Sequence, residues 1–161
     1  MVARGDLGVE MPPEEVPIIQ KKIVQSCRDF GKPVVVATQM LDSMINSPSP
    51  TRAEASDVAT AVFDAADSLM LSAETASGKF QVQSVQLMDR IIRGVENDDS
   101  YRQILESKKI TLEETTSDAI SSAASQVVKT VLAKAIFTYT RSGATAKRAA
   151  RERPTVPIIG L

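Results

Sequence analysis

The sequence predicts an α/β protein built on parallel strands. Three features lead there: short apolar runs recur along the chain, amphipathic helical stretches separate them, and each run stops at polar or glycine-containing residues. Strands separated by whole helices pair in parallel, because only a long crossover returns the chain to the same end of a sheet.

The first run, Val2 and Ala3, is the end of a buried strand. It stops at Arg4-Gly-Asp-Leu-Gly8, where Gly5 and Gly8 are expected to turn the backbone tightly and set the Asp6 carboxylate just beyond the strand. Pro12-Pro-Glu-Glu15 starts a helix, with proline in the first turn and acids at the positive end of the dipole. Val16, Ile19, Ile23, Cys27 and Phe30 recur at helical spacing and are expected to form its buried stripe, so Cys27 is read as core. Gly31 and Pro33 end the helix, and Val34–Ala37 is a second strand that runs out at Thr38.

Residues 39–45 fit a short helical turn, and Ser47-Pro-Ser-Pro50 is a loop. Thr51-Arg-Ala-Glu54 is a capping box opening a helix that turns Ala55, Val58, Ala59 and Val62 to the core. Ser68–Leu71 is a third strand, running out at Ser72 and Glu74. A helix from Val82 to about Glu96 follows, with Val85, Leu87, Met88, Ile91, Ile92 and Val95 expected inside. Met40, Met44 and Met70 are read as packing.

Residues 98–114 are polar and read as a connecting segment, although Tyr101, Ile104 and Leu105 are able to dock on what precedes. A second module follows over 115–161: helix Ala119–Leu132, strand Ala135–Tyr139, helix Ala144–Arg153 and a strand from Val156. The apparent strands at both ends imply unpaired sheet edges, so the chain is expected to belong to a larger protein.

Composition narrows the chemistry. At 43% hydrophobic and 24% charged residues with a net charge of −1, the chain offers no reason to expect nucleic acid or an anionic membrane as partner. One cysteine and no long apolar span make the cytoplasm the default compartment. With no histidine, proton transfer and metal binding fall to carboxylates, hydroxyls, Lys and Arg, or a hard oxygen-bound cation such as Mg²⁺.

Met1-Val-Ala-Arg-Gly-Asp-Leu-Gly-Val-Glu10, Ala37-Thr-Gln-Met40, Pro50-Thr-Arg-Ala-Glu54 and Met70-Leu-Ser-Ala-Glu-Thr75 closely resemble the pyruvate kinase family in order and spacing. The resemblance continues through Thr140-Arg-Ser-Gly-Ala-Thr-Ala146 and Arg151-Glu-Arg-Pro154. It implies that residues 1–97 are the last three strand-helix units of a (β/α)₈ TIM barrel. Residues 115–161 would then open a three-layer α/β C-terminal domain that serves effector binding and oligomerisation. Barrel active sites lie at the carboxyl ends of strands, where the polar residues fall here.

The implied reaction moves a phosphoryl group from phosphoenolpyruvate to ADP, giving pyruvate and ATP in glycolysis, with Mg²⁺ and K⁺. The resemblance makes Ala3, Arg4, Gly5, Asp6 and Thr38 the substrate-binding set, with the amides of Gly5 and Asp6 on the substrate carboxylate. Asp6 is the implied Mg²⁺ ligand; its alternative is an Asp that caps the turn. Thr38 is the implied active-site threonine, helping through water to protonate the enolate that phosphoryl loss leaves. Ser72 either joins that relay as a second catalytic residue or caps the turn, and Glu74 is a weaker candidate whose alternative is a structural role. Arg4-Gly-Asp6 also spells an integrin-binding motif, which its strand-flanked setting argues against.

Thr140, Arg141, Ser142, Gly143, Ala144 and Thr145 lie between a strand and a helix, matching the loop that binds a sugar-phosphate effector in the family; a plain capping turn is the alternative. It is not a Walker loop. Lys147, Arg148, Arg151 and Arg153 either assist there or form a solvated face. The family's catalytic lysine, second metal carboxylate, and K⁺ and nucleotide contacts belong to earlier barrel units and a lid domain. The chain alone is therefore expected to be inactive, with a homotetramer as the full-length form. The competing expectation is a non-catalytic interaction or phosphate-binding module.

Overall fold

The computed structural model describes residues 1–107 and 115–161. These fall into two compact units, one within Met1–Cys27 and Pro33–Lys109, the other within Arg28–Lys32 and Ile110–Leu161.

In the first unit, strands β1 (Val2–Ala3), β2 (Val35–Ala37) and β3 (Ser68–Met70) form a parallel sheet in that order. Ala3 pairs with Ala37, and Ala37 with Met70. The last residue of every strand is thus level, and whatever follows leaves the sheet at one edge. Val2, Val34, Val36 and Ala37 are fully buried, as expected of strands covered on both faces.

The expected glycine turn after β1 is instead a helix, α1 (Arg4–Glu10), and neither Gly5 nor Gly8 has positive φ. Gly5 matters through its missing side chain, because a Cβ there would lie 3.4 Å from Thr38 Oγ1. After a 3₁₀ turn at Pro13–Glu15 comes α2 (Val16–Asp29). Its best-buried positions on the sheet unit are Gln20 and Val24, with Ile23 and Cys27 partly buried beside them. Phe30 departs from the expected stripe. It lies beyond the helix end and is 77% exposed.

Helix α3 (Arg52–Phe63) carries the capping box. Thr51 Oγ1 accepts from Glu54 N at 3.2 Å, while the Glu54 carboxylate accepts from Thr51 N at 2.7 Å. That carboxylate also takes hydrogen bonds from Ser43 N at 2.7 Å and Ser43 Oγ at 2.5 Å. Burial alone pushes the Glu54 carboxyl upward, but the hydrogen bonds from Ser43 and Thr51 together outweigh it and hold it below the ordinary carboxylate range. A depressed pKa in the folded state stabilises above the unfolded value and is lost as pH falls through the folded one. Glu54→Gln is therefore expected to lower the thermal midpoint at neutral pH, with the gap to wild type closing in acid. A gap independent of pH would contradict this.

Helix α4 (Ala73–Ala76) follows β3 directly, and α5 (Gln81–Glu96) packs on α3 and α4. Within α5, Met88 and Val95 are buried, but Val85, expected inside, is 52% exposed. Gly78 fits where nothing larger can: a Cβ would meet Glu74 O at 2.5 Å and Ile45 Cα at 3.2 Å, both backbone. Gly78→Ala should cost about 2 kcal/mol by urea unfolding. A loss under about 0.5 kcal/mol would show that this backbone relaxes freely.

Within the stretch expected to connect the modules, Asp99–Ser107 forms helix α6 on the first unit; residues 108–114 lie outside the described residues. Tyr101 is buried and meets Phe63 edge-on, ring centroids 6.1 Å apart.

In the second unit, α7 (Thr116–Val131), β4 (Ile136–Thr138), α8 (Ala144–Arg151) and β5 (Ile158–Gly160) follow in order, and β4 pairs with β5 in parallel. Thr115 caps α7 by accepting from Asp118 N at 3.2 Å. Asp118 is buried and bonded to Arg151 at 2.5 Å, with Arg148 at 3.5 Å, so α7 and α8 are tied by charge.

Candidate active site

The level strand ends bring Ala3-Arg4-Gly5-Asp6, Thr38-Gln39 and the Leu71-Ser72 segment to one edge of the sheet. Two of them touch. Gly5 N donates to Thr38 Oγ1 at 2.9 Å, and Thr38 Oγ1 donates to Ala37 O at 2.6 Å. Gly5 is in the first turn of α1, where the helix supplies no acceptor for its amide and Ala3 gives no side-chain cap. The threonine of the neighbouring strand fills that need.

Thr38 and Gln39 both take left-handed backbone, with φ of 68° and 54°. For a β-branched residue this conformation is strained, and it persists only where the surroundings enforce it. Arg4 does so. Its Nε donates to Thr38 O at 3.1 Å, one Nη donates to Gln39 O, and the other bonds Asp57 Oδ2 at 3.0 Å. The Arg4 side chain is 11% exposed and Asp57 of α3 is 55% exposed. Arg4, expected in the substrate set, thus commits its guanidinium to protein acceptors. Neither its tethering role nor Asp57 was evident from the sequence; an arginine at a strand terminus, beside a glycine, was the signal available.

Asp6 is exposed in the first turn of α1, and among the described residues no hydrogen bond or ion pair engages its carboxylate. Among those residues there is also no cluster of three or more His, Cys, Asp or Glu able to hold a metal by themselves. A single free carboxylate still fits a small hard cation, since Mg²⁺ is usually held by one or two carboxylates plus substrate oxygens and water.

Ser72 sits at the N-cap of α4, but its side chain makes no capping hydrogen bond. The capping is done by Glu74, which is 1% exposed. Its two carboxylate oxygens accept from Ser72 N at 2.7 Å and Leu41 N at 3.1 Å, pinning the segment after β3 to the segment after β2. A cleft of about 270 Å³ opens beside the tether, walled by Arg4, Gln39, Asp57, Gln20, Lys21 and Asp64; Asp6, Thr38 and Ser72 do not line it.

In the second unit, Thr140 to Gly143 lie in the turn between β4 and α8, and Ala144 and Thr145 open the helix. Gly143 is the N-cap in left-handed conformation, φ 78°, with no side-chain capping bond. Arg141, Ser142 and Thr145 are exposed.

The chain matches two family models, the pyruvate kinase barrel domain over residues 1–85 and the pyruvate kinase alpha/beta domain over residues 118–161. A pyruvate kinase of Methylorubrum extorquens is 55% identical and one of Agrobacterium vitis 53% identical, each over all 161 residues. The chain spans about a third of the length of these relatives, 34% and 33%. A crystal structure of a pyruvate kinase from Cryptosporidium parvum matches with TM-score 0.91 and 42% identity, covering 98% of this chain and 32% of that one. The two models between them match both modules in chain order: the chain belongs to the pyruvate kinase family.

Proposed function

We propose that this chain carries one part of a site that transfers the phosphoryl group of phosphoenolpyruvate to ADP. The observation that carries the reading is the Gly5 N to Thr38 Oγ1 hydrogen bond between adjacent strand ends, one residue from the free Asp6 carboxylate. Residues 1–97 serve as the last barrel units, 98–114 as the connection, and 115–161 as the start of the effector and oligomerisation domain of a cytoplasmic homotetramer.

In this reading the substrate carboxylate is received at the Gly5 and Asp6 amides. At Gly5 it replaces Thr38 Oγ1 as acceptor, so the hydroxyl loses the Gly5 amide as its donor and its proton, which rests on Ala37 O, turns from there to the relay water. Asp6 would hold Mg²⁺, which would neutralise charge on the phosphoryl oxygens; K⁺ and the nucleotide would take their contacts from earlier barrel units and the lid domain. A threonine is a poor acid by itself, so Thr38 moves the proton to the enolate carbon through water, and Ser72 supports that water.

The test is turnover of phosphoenolpyruvate with ADP and Mg²⁺, run on this chain alone and on a chimera in which it replaces the matching third of the Methylorubrum extorquens relative. The chimera should turn over and the chain alone should not. An inactive, folded chimera would favour the non-catalytic module. For the Thr140–Thr145 segment, a sugar phosphate is the proposed effector, held by Arg141, Ser142, Thr145 and the amides of Gly143 and Ala144. Calorimetric binding to the chimera should vanish in the Ser142→Ala, Thr145→Ala double variant, and an unchanged affinity would remove the effector role.

A further inference from the structure

We propose that Arg4, oriented by Asp57, is a positioning residue that sets the Thr38 hydroxyl for proton transfer, a role that rests on the reading of Thr38 given above. The left-handed conformation of Thr38 and Gln39 turns the chain at the end of β2, and no glycine lowers its cost there. The compensating interactions come from Arg4, whose fork spans two consecutive main-chain carbonyls and one carboxylate. Only a planar guanidinium reaches all three acceptors at once; an ammonium carries the same charge but not the same geometry.

The three acceptors have separate jobs. The carbonyls of Thr38 and Gln39 are the groups being held. Asp57, on α3, fixes the rotation of the fork, and through it the helix that follows β2 is linked to the residue that follows β1. Gly5 adds the second fixed point, its amide on Thr38 Oγ1. Backbone and hydroxyl are therefore held from two successive residues of the neighbouring strand end. Substrate exchange at the Gly5 amide then leaves the hydroxyl held by its donation to Ala37 O, from which it can rotate while Arg4 keeps the backbone in place.

Two measurements test this. In the active chimera, Arg4→Lys should lower kcat roughly 10- to 100-fold while the KM for phosphoenolpyruvate moves less than about threefold, as expected when geometry rather than binding is lost. Exchange of pyruvate methyl protons with solvent should fall in parallel. Asp57→Asn, a change at an exposed side chain, should act in the same direction and less. In the chain itself, both substitutions should speed hydrogen exchange at the Gly5 amide, Arg4→Lys by about tenfold.

Unchanged kcat and unchanged Gly5 exchange in Arg4→Lys would overturn the proposal. So would a raised KM with kcat intact, which would mean that Arg4 binds substrate directly. An unaffected Asp57→Asn beside a crippled Arg4→Lys would remove Asp57 from it. If the unsubstituted chimera is inactive, the functional reading fails. The Gly5 exchange rates then decide the tether separately, faster exchange supporting it and unchanged exchange refuting it.

Discussion

Replacing Thr38 with alanine in the chimera is expected to lower kcat about 100-fold and to leave the KM for ADP nearly unchanged. The hydroxyl, at the end of β2, accepts the hydrogen bond of the Gly5 amide, one residue before Asp6. Under the proposed function its loss removes the relay to the enolate, while the nucleotide is expected to take its contacts from the earlier barrel units and the lid domain. Pyruvate methyl-proton exchange should fall as far as turnover does. Thr38→Ser keeps the hydroxyl and should recover most of the rate, though without the methyl group that limits its rotamers. Equal losses in kcat and in ADP binding for Thr38→Ala would count against the assigned role.

The largest stability effect is expected at Glu74. Glu74→Ala strands two amides that now end on the carboxylate, the buried Leu41 N and the half-buried Ser72 N. An unsatisfied buried donor costs about 1–3 kcal/mol, so the pair should cost about 3 kcal/mol in urea unfolding of the chain. Glu74→Gln retains one good acceptor and should lose roughly half as much. The effect should carry into function, because Glu74 positions the Ser72 main chain. A loss under about 1 kcal/mol for Glu74→Ala would mean that water replaces the carboxylate in a site that is 1% exposed.

Much of the fold could be read locally, and the reasons are physical. Val34 to Ala37 is apolar without a break because β2 is covered on both faces, and Thr51 and Glu54 cap α3 through side chains three residues apart. What escaped the reading depends on partners distant in sequence. No local signal marks left-handed backbone at Thr38, a β-branched residue; Arg4 imposes it across 34 positions. Glu74 looked weak because its role is visible only once Leu41, 33 residues earlier, is seen to donate to it. Periodicity likewise put Phe30 on a stripe that α2 has already left by Asp29.

The glycines illustrate the same limit. Gly5 and Gly8 suggested a tight turn, yet both accept ordinary helical backbone, and only at Gly5 does the absent side chain make room, for the Thr38 hydroxyl. The sequence placed Asp6, Thr38 and Ser72 just beyond their strands, and the level strand ends bring them to one edge of the sheet, but what holds them there was not legible.

Crystals of the chimera soaked with Mn²⁺ and phosphoenolpyruvate, without nucleotide, offer the most direct measurement. The anomalous signal of the metal is expected on the Asp6 carboxylate, with the substrate carboxylate on the Gly5 amide and the Thr38 hydroxyl released towards it. Metal and substrate bound elsewhere, with the Gly5 to Thr38 hydrogen bond intact and Asp6 unliganded, would contradict the account.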